Sequence, residues 1–364
     1  ILQDIKYPGF TRDIISFGMV KDISIAGKTI DISLQINSTD EKKLAQLKKN
    51  IEDKLSINGI DEVNIHFIKP THQPMSTNDG KNALHQESIP GVDKIIAVAS
   101  GKGGVGKSTV AVNLAATLSK EYRVGLLDLD IYGPSLPMLV GIDTQPQITE
   151  DKKLIPIEKY NLRLMSFGFI NNEDSPTIWR GPMVSRMTQQ FFENVNWGDL
   201  DYLILDLPPG TGDIQLTLVQ KIALTGAIIV TTPQDLSNVD VRKGSDMFKK
   251  VNVPLIGVIE NMSGLVIKGH ISGSNDAKMD IAGIGDVNVD ENGDFEFQID
   301  IFKKGGGVVE SDRLGVPLLG EIPINKEIMD ATDNGKPLVL SNPDSPVAQV
   351  FIQIVDRIQT ILQS

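Results

Sequence analysis

The chain has 364 residues, of which 40% are hydrophobic, so it is long enough for two domains and apolar enough for a sizeable core. Its formal net charge of −12 argues against a general nucleic-acid surface, which needs clustered Lys and Arg. It contains no cysteine, which excludes disulfides and thiolate ligands supplied by this chain. Because no apolar run approaches the ~18 residues of a membrane span, and no targeting pattern opens the sequence, we expect a cytoplasmic protein with no membrane partner.

Residues 1–69 have the pattern of a small α+β domain. Apolar and polar residues alternate over 19–36 around a turn at 26–28, which predicts a β-hairpin. A helix with one apolar stripe follows, and residues 63–68 return as a strand. The residues predicted to face the core are Ile23, Ile25, Ile30, Ile32 and Leu34 of the hairpin and Leu44, Leu47, Ile51 and Leu55 of the helix.

Residues 70–92 are rich in Pro, Asn, Ser, Gln and Gly and lack periodicity, so they are predicted to be a linker. From residue 93 to 364, short apolar runs alternate with helical patterns, as buried parallel strands alternate with crossover helices. This predicts an α/β domain with a doubly wound, mostly parallel sheet and a ligand crevice at the carboxyl ends of its strands. The pattern over 346–362 predicts a final helix packed on the sheet. The apolar runs are IIAVAS, VGLLDLD, YLILDLPP, AIIVTTP and PLIGVIE.

The stretch GKGGVGKST follows the first apolar run and opens a helical pattern. It fits the phosphate-binding pattern G-x-x-x-x-G-K-[ST] in the strand–loop–helix context that the pattern requires, which disfavours the alternative of a glycine-rich turn. Its glycines let backbone N–H groups converge on phosphate oxygens, and Lys107 adds a positive charge near the β and γ phosphates. Lys102 is not needed for this task and marks a subclass of such loops. The predicted nucleotide-binding residues of the loop are Gly101, Lys102, Gly103, Gly104, Val105, Gly106, Lys107, Ser108 and Thr109.

Carboxylates end two of the other predicted strands. Ser108 and Asp206 are predicted to hold Mg²⁺, the aspartate through water. Asp130 is predicted to orient the attacking water, and Asp128 to act in the outer shell of the metal. For Asp128 and Asp130 the alternative is a helix or turn cap. The pattern as a whole predicts ATP hydrolysis.

Several motifs carry a family resemblance. GKGGVGKST is similar to the deviant Walker A loop of the MinD and ParA superfamily. The resemblance covers about residues 89–345, and the N-terminal unit is similar to a small domain that many bacterial members carry before the ATPase. The motifs that resemble the Mrp/ApbC family of iron–sulfur cluster carrier ATPases are LLDLDIYGPSLP, WRGPMV, DYLILDLPPGTGD, TTPQDLSNVDVRKG, ENMS and LGVPLLGEIPI.

This resemblance implies a homodimer with ATP between two subunits, in which Lys102 reaches the nucleotide of the other subunit. It also implies slow ATP hydrolysis and the transfer of iron–sulfur clusters to apoprotein partners. Asp128 and Asp130 would belong to a first switch, residues 208–213 would form a second switch, and Asn261 would read the adenine edge. The implied catalytic residues are Lys107, Asp130, Lys102 and Asp128.

The sequence departs from that family at the cluster site. Members that carry clusters usually have C-x-x-C a few residues after ENMS, so that a dimer offers four thiolates. Here Ile267 and His270 stand at those positions, and neither is a thiolate.

The segment 272–298 looks inserted relative to the family. Residues 287–289 and 295–297 alternate in polarity around a turn, which predicts a short hairpin. The residues in this segment that resemble the start of a calcium loop are Asn288, Asp290, Asn292 and Gly293. Ile299 stands where such a loop needs a bidentate Glu, which disfavours calcium.

Two functions from different classes remain open at this point. The first is a homodimeric ATPase of iron–sulfur cluster carriage, with its cluster role implied by resemblance. The alternative is an ATP-gated dimeric switch that acts through protein partners and handles no cluster. A metabolic kinase or synthetase is disfavoured because no separate acceptor site stands out.

Overall fold

A computed structural model of the chain divides into two compact units, Ile1–Asn82 and Ala83–Ser364, and each is described by itself. Residues 70–85 of the predicted linker lie outside the described residues. Its last residues belong to the larger unit, because Glu87 forms an isolated β-bridge with Ile222 and Val92 opens a strand. The described residues are 5, 14, 20–26, 29–35, 41–57, 62–68, 86–170, 181–210, 213–234, 247–248, 251–272, 279–281, 283–302 and 305–363.

The N-terminal unit has three strands and one helix among its described residues: β1 (Val20–Ala26), β2 (Thr29–Gln35), α1 (Glu41–Ile57) and β3 (Glu62–Ile68). β1 and β2 are antiparallel, and β3 runs parallel to β2. The apolar stripe of α1 packs on this sheet as predicted, and Leu47 and Ile51 are fully buried. The predicted hairpin is confirmed, although its turn residues 27–28 lie outside the described residues.

One predicted core residue of this unit is wrong. Ile23 is 40% exposed, whereas its cross-strand partner Ile32 is fully buried. β1 is one of the two edge strands of this three-stranded sheet, while β2 lies in the middle, so β1 is less well covered. The side chain of Ile25, also predicted to face the core, lies outside the described part of the structure.

The larger unit is built on a sheet with nine strands in its described part, in the order β13-β10-β9-β4-β8-β5-β7-β6, with β14 also paired to β10. All neighbouring pairs are parallel except β10–β13 and β6–β7. The five predicted apolar runs are the five adjacent strands at its centre, which confirms the predicted fold class. The strands are β4 (Val92–Ala99), β5 (Val124–Asp128), β6 (Ile157–Lys159), β7 (Leu162–Ser166), β8 (Leu200–Asp206), β9 (Gly226–Thr231), β10 (Leu255–His270), β13 (Asp294–Ile299) and β14 (Leu318–Ile324).

Helices cover both faces of this sheet, so two apolar cores form. Alternate residues of β4 enter different cores, with Ile96 and Val98 on one face and Ile95 and Ala97 on the other. This separation is what a doubly wound sheet requires. The helices are α2 (Lys107–Leu118), α3 (Leu136–Val140), α4 (Gly181–Asn194), α5 (Asp213–Lys221), α6 (Gly306–Leu314), α7 (Lys326–Asp333), α8 (Leu338–Ser341) and α9 (Pro346–Gln363), and a short 3₁₀ helix spans Phe167–Phe169.

The predicted C-terminal helix is α9, which packs against β14 and α2. Its apolar stripe includes Phe351 and Ile354, which are both fully buried. Among the helices of the described residues, none has the length and apolar character needed to cross a membrane.

The inserted segment differs from the predicted hairpin. Phe295 and Phe297 pair with β10, at Gly269 and Ile267, rather than with residues 287–289. Only an isolated bridge joins Val289 to Phe295, while β11 (Met279–Ile281) and β12 (Gly285–Val287) form their own antiparallel pair. The reason is that β10 is 16 residues long and continues beyond Asn261, so its second half offers a pairing edge to β13. We call the paired segments 265–270 and 294–299 the β10–β13 ribbon.

Candidate nucleotide site at the carboxyl ends of the strands

The predicted phosphate loop connects β4 to α2, at the carboxyl edge of the sheet. Gly104 and Gly106 have φ angles of 79° and 78°, in the left-handed region that favours glycine. A Cβ on Gly104 would meet nothing within 4 Å, so the loop is open on that side. A Cβ on Gly106 would lie 2.2 Å from Nδ2 of Asn261, so the loop is tightly packed below. The open side leaves room for a phosphate group, and the packed side holds the backbone of the loop in place.

A buried ion pair lies at the base of the loop. The Nζ atom of Lys107 donates to Oδ1 of Asp206, and the two side chains are 6% and 3% exposed. The same Nζ lies 3.4 Å from Oγ of Ser108. The two predicted magnesium ligands, Ser108 and Asp206, therefore meet around one ammonium group, beside the open loop. A hydroxyl and a carboxylate are oxygen ligands of the kind that Mg²⁺ prefers, so the donor set fits this metal.

Asp128 is fully buried at the end of β5, beside Asp206 in the register of the sheet. Its Oδ1 accepts from the N–H of Asp130 at 3.0 Å, and its Oδ2 accepts from the N–H of Leu136 at 3.2 Å. Burial and then the charge of Asp206 raise the pKa of Asp128 to about 7, against the opposing effect of these hydrogen bonds. The carboxyl group thus ties β5 to the start of α3.

Asp130 takes the position of a turn cap. Its Oδ1 accepts from the N–H groups of Tyr132 at 3.2 Å and Gly133 at 3.3 Å. Its side chain is half-buried rather than enclosed. The capping geometry matches the alternative considered for this residue, and its role in orienting water stays a prediction.

Three functional candidates in this site were not found from the sequence. They are Ser100, Ser166 and Gln215, which are all buried. The hydroxyl of Ser166 donates to Oδ2 of Asp128 at 2.9 Å and accepts from the N–H of Gly168 at 3.0 Å. A serine or glutamine next to an apolar run carries no signal of its own, because its partner lies on another strand or helix.

The predicted second switch, residues 208–213, and the residue before it are bonded to neighbouring elements. The N–H of Leu207 donates to the carbonyl of Val98 at 3.0 Å, and the N–H of Gly210 donates to the carbonyl of Ser100 at 3.1 Å. Nε2 of Gln215, on α5, donates to the carbonyl of Pro208. Thr211 and Gly212 lie outside the described residues.

Asn261 lies against the phosphate loop. Its Nδ2 donates to the carbonyl of Val105 at 2.8 Å, and the residue is 8% exposed. The side chain therefore braces the loop from below, and its predicted contact with an adenine edge stays a prediction. The preceding Glu260 is fully buried and accepts from the hydroxyl of Ser263 at 2.7 Å and from the N–H of Gly307. This carboxylate holds together the two chain segments that enter and leave the β10–β13 ribbon.

The remaining loop residues differ in exposure. Gly103 and Gly104 are exposed, and Lys102 is half-buried. The carbonyl of Thr109 accepts from Nδ2 of Asn113 at 2.9 Å within α2, so Thr109 is part of the helix that follows the loop. Gly101 is buried between Ser100 and Lys102.

The residues at the positions where the resemblance implies cluster ligands do not fit an iron–sulfur cluster. Ile267 pairs with Phe297 in the β10–β13 ribbon. Nδ1 of His270 lies 2.9 Å from Oδ1 of Asp294, so this imidazole already has a carboxylate partner. Within the described residues, no group of three or more His, Asp or Glu side chains is placed to hold a metal ion. The calcium interpretation gains no support, because Oδ1 of Asp290 accepts from two N–H groups of its own turn.

We predict that Ser166→Ala raises the pKa of Asp128 above about 7, by roughly one pH unit, because it removes a hydrogen bond that stabilises the carboxylate. The measurement is a pH titration of the Asp128 carboxyl carbon by NMR. Ser135→Ala is the matched control, since Ser135 precedes α3 and makes no side-chain capping bond to it. An unchanged or lower pKa in Ser166→Ala contradicts this account of the site.

Comparison with known proteins agrees with this geometry. The model of the ParA family, described as NUBPL iron-transfer P-loop NTPase, matches residues 91–279 and 270–359. The iron-sulfur cluster carrier protein of Aquifex aeolicus (strain VF5) is 39% identical over 371 residues, which cover 95% of this chain and 92% of that protein.

Two solved structures are similar in fold. A nucleotide-binding protein from Archaeoglobus fulgidus in complex with ADP is 30% identical, with a TM-score of 0.54, and covers 71% of this chain and 92% of its own. The septum site-determining protein MinD from Pyrococcus horikoshii OT3, complexed with Mg-ADP, has a TM-score of 0.51 at 21% identity and covers 74% and 97%. The resemblance predicted from the motifs is confirmed: the chain belongs to the ParA family, in the group of NUBPL iron-transfer P-loop NTPases.

Proposed function

We propose that the chain binds ATP with Mg²⁺, hydrolyses it slowly as a cytoplasmic homodimer, and serves the transfer of iron–sulfur clusters to apoproteins. The observation that carries the ATPase part is the buried pair of Lys107 and Asp206, with Ser108 beside it, at the base of an open glycine loop. The cluster part rests on the relatives, which are named iron-sulfur cluster carrier proteins at 34% to 45% identity.

Each residue of the site has a task in phosphoryl transfer to water. Lys107 brings a positive charge to the phosphates, and the loop amides donate to their oxygens. Ser108 and Asp206 would hold Mg²⁺, which supplies charge neutralisation on the phosphates when bound. Asp128 holds the turn that carries Asp130, and in this proposal Asp130 orients the water that attacks the terminal phosphate.

Lys107→Ala is expected to lower ATP turnover at least about a hundredfold, because the positive charge at the phosphates is lost. Turnover is measured as phosphate release under saturating ATP and Mg²⁺. The exposed Lys120→Ala, just beyond the end of α2, is the matched control and should hydrolyse ATP normally.

Folding of the variant must be checked, since removing Lys107 leaves the buried Asp206 carboxylate without its cation, at a cost of about 3–5 kcal/mol. Lys107→Gln keeps a donor for Asp206 and serves as the second variant. Wild-type turnover in either variant contradicts the assignment of this site.

The proposed homodimer depends on Lys102, which the resemblance places on the nucleotide of the other subunit. Lys102→Ala is expected to weaken dimerisation in ATP and Mg²⁺ about tenfold or more, because a charge-assisted contact to phosphate is lost in each subunit. Analytical ultracentrifugation with ATP and with ADP measures the dissociation constant. The control is again Lys120→Ala, and equal dimerisation of Lys102→Ala and wild type argues against an ATP sandwich.

A cluster carried by this protein needs thiolates from elsewhere, because the chain has no cysteine. A small-molecule thiol or a cysteine of the apoprotein partner can supply them. The ATPase would then control access of a cluster to its acceptor, rather than ligate the iron with its own side chains.

We predict that anaerobic incubation with iron, sulfide and a small thiol gives a protein-bound chromophore, which is passed to an apoprotein acceptor. Absorption spectroscopy follows the chromophore, and recovery of acceptor activity follows the transfer. The same mixture without protein controls for free thiol–iron–sulfide species. If no stoichiometric chromophore forms and nothing is transferred, cluster carriage should be abandoned.

The alternative is an ATP-gated dimeric switch that acts through protein partners without a cluster. The observation that favours it is the β10–β13 ribbon, in which Ile267 and His270 are paired strand residues rather than ligands. ATP-dependent dimerisation and turnover, together with a negative reconstitution, would support this second function.

A further inference from the structure

Ser100 stands between the last residue of β4 and the phosphate loop, and it is 3% exposed. Its hydroxyl donates to the carbonyl of Lys102 at 2.8 Å, and its own carbonyl accepts from the N–H of Gly210 at 3.1 Å. We infer that Ser100 is a positioning residue that couples the second switch to the Lys102 end of the phosphate loop. This inference rests on the proposed ATPase function and adds a residue to the same site.

The hydroxyl of Ser100 fixes the orientation of one peptide group in the loop. In a trans peptide the carbonyl of Lys102 and the N–H of Gly103 point in opposite directions. Because the carbonyl is held toward the buried Ser100, the N–H of Gly103 points away from it. The glycines at 103 and 104 restrict the backbone weakly, so the bond from the Ser100 hydroxyl adds a constraint on this peptide.

The carbonyl of Ser100 fixes the second switch. Pro208 and Pro209 have no N–H, so the donors of the described segment 207–210 are Leu207 and Gly210. Leu207 bonds to Val98 inside the sheet, whereas Gly210 bonds to Ser100 at the edge of the loop. Gly210 has a φ of 96°, which few other residues adopt, so this contact depends on a glycine.

These two bonds make Ser100 a shared contact. A displacement of Gly210 changes the position of the Ser100 backbone, and the hydroxyl of the same residue carries that change to the peptide after Lys102. Coupling of this kind is reciprocal, so a change at Lys102 also reaches the second switch. The Ser100 hydroxyl bonds to Lys102 and not to the part of the loop from Gly104 to Ser108. Removing this hydroxyl should therefore change ATP turnover more than nucleotide affinity.

Ser100→Ala is expected to lower kcat for ATP hydrolysis about three- to tenfold, which is the effect expected from the loss of one buried hydrogen bond. The KM for ATP should change less than about twofold. Ser119→Ala is the matched control, because Ser119 is 7% exposed and its hydroxyl donates to the carbonyl of Ala116 at 3.0 Å. It lies at the other end of α2 and should leave kcat unchanged. A wild-type kcat in Ser100→Ala, or a loss in KM alone, overturns the inference.

Hydrogen exchange provides a readout that does not need ATP hydrolysis. Ser100→Ala keeps the carbonyl that Gly210 donates to, so a merely local role predicts faster exchange in the loop alone. Coupling predicts faster exchange in both 101–106 and 207–210. Exchange that changes only in the loop, or in neither segment, overturns the inference. If instead the wild-type protein hydrolyses no ATP, the proposed function fails, while the exchange result still decides the role of Ser100.

Discussion

The ion pair between Lys107 and Asp206 is the interaction on which the site depends. A cation and a carboxylate this well buried must compensate each other, since each alone loses several kcal/mol of hydration. Asp206 is the last residue of β8, and Lys107 opens α2 after the loop that follows β4, so the pair exists only if β4 and β8 are neighbours. The chemistry of the site therefore depends on the order of the strands in the central sheet. This order also places Val98 and Asp206 opposite each other, which brings the segment 207–210 beside the phosphate loop.

Asp128 adds a second carboxyl group to the same buried edge, and this has a cost. Two adjacent carboxylates repel each other, and burial disfavours both charges. The donors that surround Asp128 reduce this cost, and they come from its own turn, from α3 and from β7. The turn that carries Asp130 therefore follows a buried carboxyl group that donors from α3 and β7 stabilise. Its geometry follows from where those donors lie, rather than from the loop sequence alone.

Much of the fold followed from local patterns. The five apolar runs became the central strands, and the stripe of α1 and the C-terminal helix were placed correctly, because burial on a sheet imposes a period that a short segment displays. The predicted site residues were also brought together at one edge, since motifs that end parallel strands share that edge. What could not be predicted depends on contacts between distant segments. Ser100 and Gln215 show no local signal, and the alternation around Phe295 did not reveal that its partner strand was an extended β10.

The β10–β13 ribbon has a consequence for any attempt to rebuild the cluster site. Along a strand, side chains alternate between the two faces, and positions three apart lie on opposite sides, with Cα atoms about 10 Å apart. Residues 267 and 270 are both within the paired part of β10, so cysteines introduced there would face away from each other. A C-x-x-C pair binds one cluster when its backbone turns and lets both sulfur atoms converge. In this chain the segment 267–270 is a paired strand rather than a turn, so placing cysteines at these two positions would not bring their sulfur atoms together.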